Sequence, residues 1–175
     1  MTRADHPSGT DRLAEVAGQR PTATHFLNVQ GDEPLINPAL LEEMILSLRD
    51  HPALPMITAA SPLEEQAAAD NPNIVKVVLS AAGDALYFSR SRIPYPRNPP
   101  EVSCYRHLGV YGFSREFLLQ FVSWPPSPLE KTESLEQLRA LENGARIRVV
   151  LTTDESPGVD TPEQARQVEQ LLVGG

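Results

Sequence analysis

Cysteine is nearly absent from this 175-residue chain: Cys104 stands alone, so no internal disulfide can form, and a small packed thiol is the economical reading. Also missing is any apolar run approaching the ~20 residues of a membrane span. The opening residues Met1-Thr2-Arg3-Ala4-Asp5-His6 hold no apolar stretch, which argues against a secretory signal there and makes the cytoplasm the expected location. A basic surplus is lacking too. Fifteen Lys and Arg stand against 23 Asp and Glu, giving a net charge of -8 and no basic stripe to follow a nucleic-acid backbone. A site for a small phosphorylated ligand is still compatible, because a few arginines or a divalent cation offset charge locally.

What is present is ordinary for a globular protein. Hydrophobic residues make up 41% and charged residues 22%, in a chain long enough for one core. The patterning predicts a helix over Thr10–Gln19 and a short buried strand over His25–Val29 that stops at Gly31. Asn37 and Pro38 supply the N-cap and N1 of a second helix, with Leu40, Leu41, Met44, Ile45 and Leu48 as its apolar stripe. A strand over Met56–Ala60 and a short helix near Leu63–Ala69 follow. Ile74–Leu79 and Ala85–Ser89 flank the turn Ala81-Ala82-Gly83-Asp84 as a hairpin. Ile93–Val102 is a proline-rich loop, and His107–Phe113 a strand leading into a helix capped by Ser114. A helix over 133–143 ended by Gly144, a strand over Arg146–Thr152, and a helix opened by the capping box Thr161-Pro162-Glu163-Gln164 and running to Leu172 complete the chain. Strands alternating with helices imply an α/β fold in a single domain over 1–175, with 74–113 as a β-rich inserted or edge unit.

In open α/β sheets ligands bind beyond the carboxyl ends of strands. Asp32, in Gln30-Gly31-Asp32-Glu33-Pro34, and Asp160, in Gly158-Val159-Asp160-Thr161-Pro162, both fall at such ends. Two carboxylates from different strands suit a Mg²⁺ ion that also binds substrate phosphates; equally, Asp32 could close an Asx turn and Asp160 precede a helix cap. Ser8 and Gly9 open the first helix, where hydroxyl and N–H groups suit an anion or simply cap the helix. His107, Gly109 and Tyr111 alternate along one strand and so share a face, open to a polar ligand or packed as a histidine against a core tyrosine. Glu133 and Gln137, four apart in the expected 133–143 helix, project together, as a solvated pair or as donors to sugar hydroxyls.

Taken in order, the motifs resemble CMP-Kdo synthetases, the 3-deoxy-manno-octulosonate cytidylyltransferases. The matching runs are Thr2 through Arg12, Asn28 through Ile36, Asn71-Pro72-Asn73-Ile74-Val75-Lys76-Val77-Val78 and Ala85-Leu86-Tyr87-Phe88-Ser89-Arg90. Further on come Arg106 through Gly112, Ser127 through Glu130, Leu135-Glu136-Gln137-Leu138-Arg139 and Gly158 through Glu163. The resemblance implies a nucleotide-diphospho-sugar transferase-like (Rossmann-like) mixed sheet, usually in a homodimer through the inserted β region. It implies that Asp32 and Asp160 hold catalytic Mg²⁺ and that Arg3, Ser8 and Gly9 meet the cytosine. Gln30, Arg90, His107, Tyr111, Glu133 and Gln137 would surround the sugar. The implied reaction joins CTP to Kdo, giving CMP-Kdo and pyrophosphate for lipopolysaccharide synthesis. An inactive dimerisation module and an enzyme for a related acid sugar, such as an amino-substituted octulosonate, are the alternatives.

The family's opening strand and its Arg-, Gly- and Lys-rich phosphate loop have no counterpart here. The expectation is therefore a chain without the first β-α-β unit, with one side of the His25–Val29 strand unpaired and with weak activity by itself.

Overall fold

The computed structural model describes residues 1–31, 33–63, 66–97, 104–153, 166 and 168–170. Its elements run α1 (Gly9–Gln19), β1 (His25–Asn28), α2 (Pro38–Asp50), β2 (Met56–Leu63), α3 (Gln66–Ala69), β3 (Lys76–Leu79), β4 (Ala85–Ser89), β5 (Cys104–Ser114), α4 (Arg115–Ser123), α5 (Pro128–Glu133), α6 (Gln137–Glu142) and β6 (Ile147–Leu151). The expected α/β alternation is found. The expected helix opening at Thr161 falls mostly outside the described residues, although 166 and 168–170 are helical and Val168 is buried.

All six strands join one mixed sheet in the order β4-β3-β5-β2-β6, with β1 also on β5. Strand β5 is its axis. One edge of β5 runs antiparallel to β2 from Cys104 to Phe113. The other edge is divided: Tyr105 and Arg106 pair with β3, and Tyr111 to Ser114 pair with β1. Thus, of the 74–113 region, β3 and β4 form one end of the sheet while β5 runs up its middle. Strand β1 has β5 on one side and no second strand partner among the described residues.

Helices cover both faces, each over its own core. Ala17 of α1, Phe117, Leu118 and Phe121 of α4 and Leu138 of α6 pack on one face with Met56, Ala60, Val77, Phe88 and Phe113. Leu40, Met44 and Leu48 of α2 pack on the other with Ile57, Ala59, Leu108, Val110 and Val150. The α2 stripe is narrower than the sequence predicts: Leu40, Met44 and Leu48 are buried, Leu41 packs at the edge of the core, and Ile45 is half-exposed. Close approach of α2 depends on Gly112. A Cβ there would stand 2.5 Å from Ile57 Cγ2 and 2.7 Å from Leu48 Cδ1.

The single helix expected over 133–143 is two. Ser127 and Glu130 form a capping box with Pro128 at N1, so α5 starts earlier. Ser134 then takes the left-handed conformation, φ 53°, and ends it. Glu133 is consequently the last residue of α5 and Gln137 the first of α6, and the two do not share one helical face.

Candidate active site

A polar cluster forms where α1 begins, β1 ends and β5 is irregular. Ser8 caps α1 by accepting from Asp11 N at 3.1 Å. Gly9, beside it, is bare toward the sheet: a Cβ there would lie 3.8 Å from both Asn28 Nδ2 and Gln30 Nε2. Across the cluster, a Cβ on Gly109 would meet Glu33 Oε1 at 3.8 Å and Gln30 Cγ at 4.0 Å. The space beside Gly109 is therefore lined by Gln30 and Glu33, at ordinary van der Waals distance from a Cβ placed there.

His107 and Tyr111 do share a face, for a reason alternation alone does not supply. Thr58 pairs with Tyr111, yet the next residue, Ala59, pairs with Leu108, so Gly109 and Val110 bulge out of register. A bulge of two residues preserves side-chain parity. The rings of His107 and Tyr111 lie 5.3 Å apart, and Phe88 meets His107 edge-on at 5.0 Å. Burial pushes the His107 imidazole down to about 3, so the ring is neutral near pH 7. Burial, and then the charge of Glu136, raises the Tyr111 phenol, which stays protonated as a donor.

Glu136 closes the cluster from the far end of the chain, and sequence reading did not single it out. Its Oε2 accepts from Thr10 Oγ1 at 2.7 Å, and its Oε1 lies 3.2 Å from Ser8 Oγ, which also faces Asp11 Oδ2 at 2.7 Å. Burial raises this carboxyl above its ordinary value, against the lowering effect of the Thr10 bond. Next to it Gln137 is buried, and its Nε2 has no hydrogen-bond partner among the described residues; Asn28 Nδ2 is in the same state. Native proteins rarely leave such donors unmet, and the Asn28 amide, facing Gly9, is placed to meet an acceptor oxygen of a ligand. Asn28 opens one of the matching runs but is not among the candidate site residues, and the register β1 takes on β5 brings it opposite Tyr111.

Arg90 and Glu133 lie in a second cluster, reached from the first through Phe88 and His107. The Glu133 carboxylate accepts from Ser89 Oγ at 2.7 Å and Arg90 N at 2.9 Å. The Arg90 guanidinium donates to the carbonyls of Glu133, Pro72 and Ser134. Beneath it Lys76, wholly buried, donates to the carbonyls of Asn71, Ile74 and Arg90. Burial lowers its pKa, and the three carbonyls satisfy all three ammonium donors. Arg3 stands apart from both clusters: its side chain is exposed and paired with Asp5, and its N–H donates to Glu15 of α1.

The expected metal ligands, Asp32 and Asp160, lie outside the described residues. Among the described residues no group of three or more His, Cys, Asp or Glu side chains could hold a metal ion. As hard oxygen donors, a pair of aspartates is nonetheless the donor set Mg²⁺ takes. Cys104 is half-buried, its Sγ donates to Ile93 O, and burial raises its pKa, in keeping with a packed thiol. Among the described residues no helix is long and apolar enough to cross a membrane.

Comparison with known proteins gives this geometry its context. Residues 1–147 match the family model described as cytidylyltransferase. A 3-deoxy-manno-octulosonate cytidylyltransferase of Syntrophotalea carbinolica is 50% identical over 99% of this chain and 73% of its own length. The enzyme of the same description from Solibacter usitatus is 51% identical over 98% of this chain and 68% of its own. Among solved structures, a CMP:2-keto-3-deoxy-manno-octonic acid synthetase complexed with CTP superposes with a TM-score of 0.94 at 44% identity, covering 99% of this chain and 71% of that one. A mixed sheet with helices on both faces, a polar cluster at the β1 end and identity near one half throughout lead to one conclusion: the chain belongs to the 3-deoxy-manno-octulosonate cytidylyltransferase family.

Proposed function

We propose that this protein is a cytidylyltransferase that joins CTP to 3-deoxy-D-manno-octulosonate, releasing pyrophosphate and forming CMP-Kdo for lipopolysaccharide synthesis. The observation that carries the reading is identity near one half with 3-deoxy-manno-octulosonate cytidylyltransferases over almost the whole chain, joined by the unmet Asn28 amide among hydroxyl, imidazole and amide groups. Such a set suits a polyhydroxylated acid sugar and a nucleoside better than an apolar substrate.

In the reaction the anomeric hydroxyl of the sugar attacks the α-phosphorus, and the bond to the pyrophosphate oxygen breaks in line. Positioning and charge neutralisation carry most of the acceleration in such transfers. On this reading Ser8 and Gly9 receive the base, and His107, Tyr111, Gln30 and Gln137 hold sugar hydroxyls. Arg90 and Glu133 fix the wall of the sugar pocket, since three Arg90 donors and the Glu133 carboxylate are engaged with protein groups. Asp32 and Asp160 would hold Mg²⁺, which when bound offsets phosphate charge and lowers the pKa of the attacking hydroxyl. The same reading takes the enzyme as cytoplasmic and dimeric. Exposed Leu86 on end strand β4 and exposed Tyr95 in the following loop support the latter.

The test is incubation with CTP, Kdo and Mg²⁺, following pyrophosphate and CMP-Kdo together. CTP-dependent consumption of Kdo is the expected result. No product, together with no effect of CTP on the melting temperature, would overturn the reading.

A further inference from the structure

Thr58 is wholly buried in β2, and its hydroxyl sits among three groups. Val110 O is 2.7 Å away, Leu108 O 3.3 Å and His107 Nε2 2.9 Å. A hydroxyl has a single proton, whereas both carbonyls can only accept. If that proton pointed at His107, the Thr58 lone pairs would face Val110 O at 2.7 Å with nothing between them, a repulsive arrangement in a site water does not reach. The proton therefore lies on the bond to Val110 O, and Thr58 Oγ1 is left as an acceptor toward the ring. His107 Nε2 must then carry a hydrogen.

From this proton count we infer that Thr58 is a positioning residue that locks His107 in the Nε2–H tautomer, leaving Nδ1 as a bare acceptor for a substrate hydroxyl. The inference rests on the proposed sugar site only in its last clause. His107 Nδ1 has no hydrogen-bond partner among the described residues, so the lock leaves it available. The device is built from the β5 bulge. Because Gly109 and Val110 leave the β2 register, the carbonyls of Leu108 and Val110 converge on one Thr58 oxygen instead of both serving the ladder. A regular strand would offer Thr58 no such pair of acceptors, and the hydroxyl could then turn its proton to the ring. The neutral ring agrees with burial against Phe88 and Tyr111.

The experiment is long-range ¹H–¹⁵N correlation of the His107 ring in the full chain, without substrate. A protonated, pyrrole-type Nε2 and a pyridine-type Nδ1 are expected. Thr58→Val, which keeps the shape and removes the acceptor, should give nitrogen shifts averaged between tautomers, and Thr58→Ser should restore the original pattern. A pyrrole-type Nδ1 in the unsubstituted protein would overturn the inference, as would unchanged shifts in Thr58→Val. Should Thr58→Val fail to fold, the unsubstituted spectrum and Thr58→Ser still decide the tautomer. In turnover, Thr58→Val should raise KM for the acid sugar about tenfold, the scale of one hydrogen bond, with KM for CTP and kcat within about twofold. A merely structural defect would move both KM values together. Absence of turnover in the unsubstituted protein counts against the proposed function, whereas the tautomer spectrum tests Thr58 regardless.

Discussion

Thr10 Oγ1 donates to Glu136 Oε2 at 2.7 Å, tying the first turn of α1 to the turn before α6. Thr10 is buried, so its hydroxyl has little access to a substitute partner. Glu136→Ala should lower stability by about 1–3 kcal/mol, the cost of leaving a buried hydroxyl unmet. It should also raise KM for CTP more than KM for Kdo, because Ser8 and Gly9 move with that turn. Glu136→Gln retains an acceptor and should fall between. Urea unfolding and initial-rate kinetics on the three proteins check both expectations.

His107 supplies a pH dependence whose sign follows from burial. Its folded pKa, about 3, lies below the ordinary value of 6.5, so between those values the unfolded chain binds a proton that the folded chain refuses. Stability is therefore full above about pH 6.5 and is lost as pH falls toward 3, by at most about 1.4 kcal/mol per pH unit. Urea midpoints at pH 7, 5.5 and 4 should fall more steeply for the unsubstituted protein than for His107→Gln. Parallel curves would contradict the assignment.

Gly112 leaves no room for a side chain beneath Leu48 of α2. Gly112→Ala should cost about 1–3 kcal/mol by overpacking against Ile57 and Leu48. Gly109→Ala, whose new methyl meets only ordinary van der Waals distances, should cost less. Thermal unfolding of the two variants side by side gives the comparison.

Ser134 holds a left-handed backbone conformation without the freedom of glycine. Its side chain is exposed, and it is the carbonyl that accepts from Arg90. Ser134→Gly should therefore stabilise by about 0.5–1 kcal/mol, with KM for the sugar unchanged. A decrease in the urea midpoint would count against this.

Local signals foretold most of the elements because they depend on near neighbours. Ser8, Asn37 and Ser114 cap helices through side-chain bonds within three residues, and Gly83 turns the β3–β4 hairpin with φ 80°. The break at Ser134 was hidden because nothing in Thr132-Glu133-Ser134-Leu135 resembles a glycine stop. It is imposed from a distance, by Arg90 drawing in the carbonyls of Glu133 and Ser134. The site divides the same way. Family motifs named Gln30, His107, Tyr111 and Gln137 as candidates, whereas the contacts of Thr58, Asn28 and Glu136 arise from strand register and from bonds spanning most of the chain.

The axial position of β5 also dictates an order of events at the ribosome. Strand β1 pairs only with β5 among the described residues, while β2 waits for β5 and β6. When residue 100 has emerged and β5 has not, the β3–β4 hairpin is the one strand pair among the described residues that can be complete. The apolar inner segments of β1 and β2 must be held off from other chains until β5 emerges. Slowed translation upstream of residue 104 should lower the soluble yield, and slowing it downstream of residue 151 should not.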